Sequence, residues 1–139
     1  MTDTENKETQ VKHLTCIICP MGCALEVTLP EGYTAENAKV FDPSLFKVTG
    51  NTCKRGDDYA RKELTTPERT LTCTVAVSGG KRPLVTAKTA GEVPKEKLLD
   101  CMQAVRRLTV KAPVKAKDVL VKDLLHTGID LIACEDVSA

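Results

Sequence analysis

The sequence predicts an α+β protein. A small N-terminal module of short strands, stapled by a metal or cluster, precedes a small domain of about four strands and one helix. Three observations carry this expectation. Leu71, Cys73, Val75 and Val77 alternate with Thr72, Thr74 and Ala76, the mark of a strand with one buried face. Leu98, Cys101, Met102, Val105 and Leu108 recur at helical spacing, with Lys95, Glu96, Lys97, Arg106 and Arg107 filling the other side. The region before residue 65 has few large apolar side chains but gathers four cysteines, and about 50 residues with so small a core usually need a staple.

Residues 1–10 are polar and read as a disordered tail. The module is expected over 11–68, where Pro20, Gly22, Pro30, Gly32, Pro43, Gly50 and Gly56 break the apolar pieces. Leu25, Val27 and Leu29 alternate with Glu26 and Thr28, which predicts a half-buried strand. Residues 39–48 suggest a strand pair around the turn signal Asp42-Pro43-Ser44. Asp57 is placed as the cap of a short helix over 58–64, ended by Thr65-Thr66-Pro67. The α+β domain is expected over 69–139. Gly79-Gly80 is its hairpin turn into a strand over 84–88, and Pro94 is expected at the first position of the helix. Residues 119–122 and 129–134 supply two further short strands.

Composition excludes several classes. Lys and Arg number 20 against 19 Asp and Glu, so the net charge of +1 removes the field that non-specific nucleic-acid binding needs. Aromatics are 3% with no Trp, which leaves little stacking surface for bases. No apolar run is long enough to span a bilayer. The N-terminus lacks an apolar secretory core, so a cytoplasmic location is expected. There, seven cysteines are better explained as ligands or redox groups than as a disulfide framework. No Ser-His-Asp set and no phosphate-cradling glycine loop appears, and the carboxylate pairs Asp57-Asp58 and Glu135-Asp136 are nonspecific.

The informative phrase is Cys16-Ile17-Ile18-Cys19-Pro20-Met21-Gly22-Cys23, followed after 29 residues by Cys53-Lys54-Arg55-Gly56. Three thiolates from one tight loop and a fourth from a distant segment can surround one centre. Loop-closure entropy grows slowly with length, so the gap is no obstacle. Structural zinc commonly pairs two similar knuckles, and nothing near Cys53 repeats the first one. A cubane 4Fe-4S cluster is wider and suits three closely spaced cysteines, so the spacing favours iron–sulfur, with a four-cysteine zinc site as the alternative. Gly22 lets the backbone bend close to inorganic sulfide, and Lys54 and Arg55 are placed to offset the charge of four thiolates. A disulfide-exchange role for Cys16 and Cys19 is disfavoured, because Pro20 and Gly22 replace the helix such motifs open.

At these residues the chain resembles the N-terminal 4Fe-4S module of molybdopterin-dependent oxidoreductases, over roughly residues 12–60. The resemblance implies Cys16, Cys19, Cys23 and Cys53 as ligands and puts Lys54 or Arg55 where that module keeps a basic residue. There is no room in 139 residues for the large pterin-binding domains, so no molybdenum function is implied. Over almost its whole length the chain is similar to a small bacterial and archaeal family with four cysteines, often encoded beside flavoproteins like the large subunit of anaerobic glycerol-3-phosphate dehydrogenase. Residues 75–85, 110–114 and 128–130 carry that likeness in the second half. It implies an accessory, non-catalytic redox subunit with a flavoprotein dehydrogenase as partner.

The remaining singular residues have bland readings. Cys73 and Cys101 fall on apolar faces, where a free cysteine is a small hydrophobe, and Cys134 ends a strand. His13 and His126 read as solvated, Met21 as an apolar lid, and Lys111, Lys115, Lys117 and Lys122 as a solvated strand edge. The expectation is an electron-transfer protein with one 4Fe-4S cluster, or else a zinc module that docks a partner without redox work.

Overall fold

The computed structural model describes residues 9–139, so the expected tail lies mostly outside the described residues. Among the described residues, two helices and ten strands in three sheets make a mixed α+β architecture, as the patterning predicts. The chain divides into two units, the first ending at Pro67 and the second being Glu68–Ala139. No helix among the described residues is long and apolar enough to cross a membrane.

The first unit is a three-stranded antiparallel sheet with one helix. Strands β1 (Val11–Thr15), β2 (Ala24–Thr28) and β3 (Lys47–Thr49) lie in that order, with Leu14 opposite Leu25 and Val27 opposite Val48. The alternation of β2 buries Leu25 and Val27. Helix α1 (Lys54–Glu63) adds Ala60, and Phe46, Leu64 and Cys16 complete the core. Tyr33 packs edge-on against Phe41 and Phe46 at 5.5 and 5.4 Å between ring centres, and its hydroxyl donates to the Leu64 carbonyl at 2.7 Å. The chain's four aromatic residues, Tyr33, Phe41, Phe46 and Tyr59, all belong to this unit, so the second unit's core is aliphatic.

Two expectations here are corrected. Residues 39–48 are not a strand pair. The Asp42 carboxylate accepts from the Ser44 N–H at 2.8 Å and Pro43 follows it, which winds Pro43–Leu45 into a 3-10 turn, and the strand after it pairs with β2 instead. Nor does Asp57 cap the helix. Cys53 does, with extended φ and ψ, and Asp57 sits in the first turn. There it forms a forked pair with Arg61, Nε to Oδ2 and Nη2 to Oδ1 both at 3.0 Å.

The second unit is a five-stranded sheet. β5 (Thr72–Ser78) and β6 (Leu84–Thr89) form the expected hairpin, and β8 (Thr109–Lys111), β9 (Val119–Val121) and β10 (Leu131–Ala133) complete the order β8-β5-β6-β10-β9. All pairs are antiparallel except β5 with β8. The intervening helix α2 (Leu98–Arg106) packs beside β5 and buries Cys101 and Val105. Val75, Val85, Ala87, Leu131 and Ala133 form the buried face of the sheet. The strand count exceeds the expected four because β8 and the two-residue pair β4 (Glu68–Arg69) with β7 (Val93–Pro94) are too short to show periodicity. Pro94 ends β7 and caps the 3-10 turn Lys95–Lys97, so α2 starts at Leu98 and not at the proline.

Candidate metal or cluster site

The hairpin between β1 and β2 carries the cysteine loop. Its neck is closed by the Cys16 N–H donating to the Cys23 carbonyl at 2.9 Å, one step beyond the Thr15–Ala24 pair. Gly22 has φ +59°, a left-handed conformation that turns the loop back toward β2. The fourth cysteine arrives from the other side of the sheet. β3 runs beside β2, and Gly50 then reverses the chain at φ +86° so close to β2 that a Cβ would lie 2.2 Å from the Ala24 carbonyl oxygen. The reversal delivers Thr52 and Cys53, and α1 begins immediately after them.

Cys16, Cys19, Cys23 and Cys53 thereby line one cavity of about 150 Å3, together with Ile18, Met21, Thr52, Arg55 and Gly56. A larger hollow of about 510 Å3 beside Gln10 and Tyr33 has no cysteine in its lining. The sulfurs of the smaller cavity are graded in exposure. Cys16 is buried in the core, Cys19 and Cys23 are half-buried, and Cys53 is exposed. Ile17, Ile18 and Met21 stand exposed around the loop, so Met21 borders the cavity without sealing it.

The electrostatics favour the thiolate at Cys53 and at Cys23. The Cys53 thiol is held below its usual range by the Arg55 guanidinium first and then by the backbone N–H groups of Gly56 and Arg55. Those N–H groups favour the charged sulfur without meeting the geometry of a side-chain cap hydrogen bond. Arg55 is in turn held more firmly protonated by Cys53, Cys19 and Cys16. The Cys23 thiol is lowered by the Thr52 hydroxyl and then by the Thr52 backbone N–H. The Cys23 Sγ to Thr52 Oγ1 distance is 3.2 Å.

Four cysteines on one cavity, with a cation against them, are a donor set that fits a four-thiolate centre. Among the described residues, no group of three or more His, Cys, Asp or Glu is arranged to hold a single metal ion. Of the two basic residues singled out by sequence, Arg55 lines the cavity and Lys54 does not. Thr52 escaped the motif reading, because its partner is 29 positions away and its only sequence signal is adjacency to Cys53.

The other singular residues stand apart. Cys101 is fully buried and burial raises its thiol, Cys73 is half-buried with its thiol raised likewise, and Cys134 is exposed after β10. His13 lies on β1 with Nδ1 3.8 Å from Glu26, and His126 is 97% exposed beside Asp123.

Fold and cavity together define a small α+β protein with a cysteine-lined site. The chain belongs to the family described as a protein of unknown function, DUF1667, whose model matches residues 54–135. That stretch takes in α1 and nearly all of the second unit, and the four cysteines precede it. A solved relative is the NMR structure of Clostridium perfringens protein CPE0013, 29% identical over 51% of this chain and 85% of that one, with a TM-score of 0.48. No curated protein matches the sequence.

Proposed function

We propose that this chain is an accessory electron-transfer protein that holds one 4Fe-4S cluster on Cys16, Cys19, Cys23 and Cys53. The observation that carries the reading is the convergence of these four cysteines, three local and one remote, on a single cavity. Four cysteines lining one cavity of about 150 Å3 would supply the four thiolates that such a cluster takes. When bound, such a cluster supplies one-electron transfer. The chain's own residues would hold it: Gly22 and Gly50 shape the turns that bring the cysteines together, Arg55 would balance thiolate charge, and the buried Cys16 would anchor it in the core. The partner in this reading is a flavin-dependent dehydrogenase resembling the glycerol-3-phosphate enzyme, as the sequence resemblance implies. Such a partner's reduced flavin would supply two electrons singly and lose its protons to solvent, and the centre on the four cysteines would pass each electron to a one-electron acceptor. The location that fits this role is the cytoplasm.

The test is iron and acid-labile sulfide analysis of protein purified without air. About four of each per chain, with a brown colour that bleaches on dithionite, is the expected result. Cys19→Ser loses the iron, while Cys101→Ser keeps it and costs only about 1–3 kcal/mol of core stability. One zinc per chain and no sulfide would replace the relay by a structural zinc module. Equal iron loss in both variants would show the ligands to be misassigned.

A further inference from the structure

We propose that Thr52 is a positioning residue for the four-sulfur site, its hydroxyl donating to the Cys23 thiolate and raising the reduction potential of the centre held there. This inference rests on the iron–sulfur reading above. Three observations carry it. The Cys23 Sγ to Thr52 Oγ1 distance of 3.2 Å is within hydrogen-bond range for sulfur. Once the sulfur is a thiolate only the hydroxyl has a proton to give, so the direction of the bond is fixed. Thr52 also lines the cavity beside the cysteine it bonds, so its hydroxyl acts on the site through the Cys23 sulfur.

The surroundings fix the backbone on either side of Thr52. Gly50 presses the chain against β2, and the Asn51 side chain donates from Nδ2 to the Cys53 carbonyl at 3.2 Å. Threonine itself is stiff at χ1. The bond joins the tight loop to the remote segment, and Arg55 acts on Cys53. A hydrogen bond to a ligand sulfur draws charge off the centre. The added electron raises the charge on that sulfur, so the reduced state gains more from the bond than the oxidised one.

The experiment is EPR-monitored potentiometry on the full chain with its centre assembled without air. Thr52→Val removes the hydroxyl at nearly constant shape. It is expected to lower the one-electron reduction equilibrium constant by up to about tenfold, which is about 59 mV. Thr52→Ser keeps the hydroxyl and holds the wild-type potential. Thr49→Val serves as the control, because the Thr49 hydroxyl bonds the Glu26 carbonyl and no cysteine, and its potential stays that of the wild type. An iron-loaded Thr52→Val protein at the wild-type potential overturns the assignment and leaves the cluster reading standing. If Thr52→Val sheds its centre, Thr52→Ala is measured in its place, and loss there too marks Thr52 as a structural tie and overturns the proposal. A wild-type chain without iron and sulfide removes the relay reading itself, and the role of Thr52 with it.

Discussion

Gly50 is the residue on which the fourth cysteine's position turns. It combines a left-handed φ with a Cβ site already occupied by the Ala24 carbonyl, whereas Gly79 has φ +70° and open space around it. The two glycines therefore separate backbone strain from collision. Gly79→Ala is expected to cost about 1 kcal/mol for the left-handed backbone alone. Gly50→Ala adds the displacement of β2 and should cost about 3 kcal/mol. Urea unfolding of the two variants measures the difference, and equal costs would mean that the approach to β2 is not a constraint. At this scale the sequence was legible in residue type but not in partnership. The cysteine spacing predicted which sulfurs to group. It could not distinguish Arg55 from Lys54, because that choice depends on where α1 starts, and Cys53, not Asp57, is its cap.

Among the elements, α1 depends most on one side chain. Arg61 grips Asp57 with two hydrogen bonds and donates from Nη1 to the carbonyls of Pro43 and Phe46 at 2.7 and 2.6 Å. One guanidinium thus ties the helix to the turn that leads into β3. Arg61 and Asp57 are only about a quarter exposed at 25% and 26%, so the pair is partly shielded from solvent. Arg61→Ala should destabilise the first unit by about 2–3 kcal/mol. Arg61→Lys should recover less than half of that, since an ammonium cannot reproduce the fork. Thermal unfolding followed by circular dichroism checks both, and full rescue by lysine would reduce the contact to simple charge.

The elements that sequence predicted well are those with a buried face, β2, β5, β6 and α2, whose periodicity records burial directly. β1 left no such record. Of its five residues only Leu14 is even half-buried, and the strand exists because β2 offers it a ladder. The same holds for β8, three residues long and drawn into place beside β5. Asp42 misled for a different reason: its side chain satisfies the backbone locally, and both a hairpin turn and a 3-10 turn use that chemistry.

At the scale of the whole molecule, each unit has a core of its own. Leu25, Val27, Phe46 and Ala60 serve the first, and Val75, Val85, Leu131 and Val137 the second. The first unit also has the cage of sulfurs. If the proposed centre staples the first unit, stripping it with a chelator under reducing, anaerobic conditions should collapse the NMR dispersion of that unit and leave that of the second unchanged. Retention of both patterns would show that the first unit needs no staple.

The graded exposure of the four sulfurs gives the cage a front and a back. An incoming oxidant meets the exposed Cys53 long before it meets Cys16 among Leu25 and Phe46. Wear on this protein would accordingly begin at Cys53, and the three cysteines of the hairpin loop would outlast it.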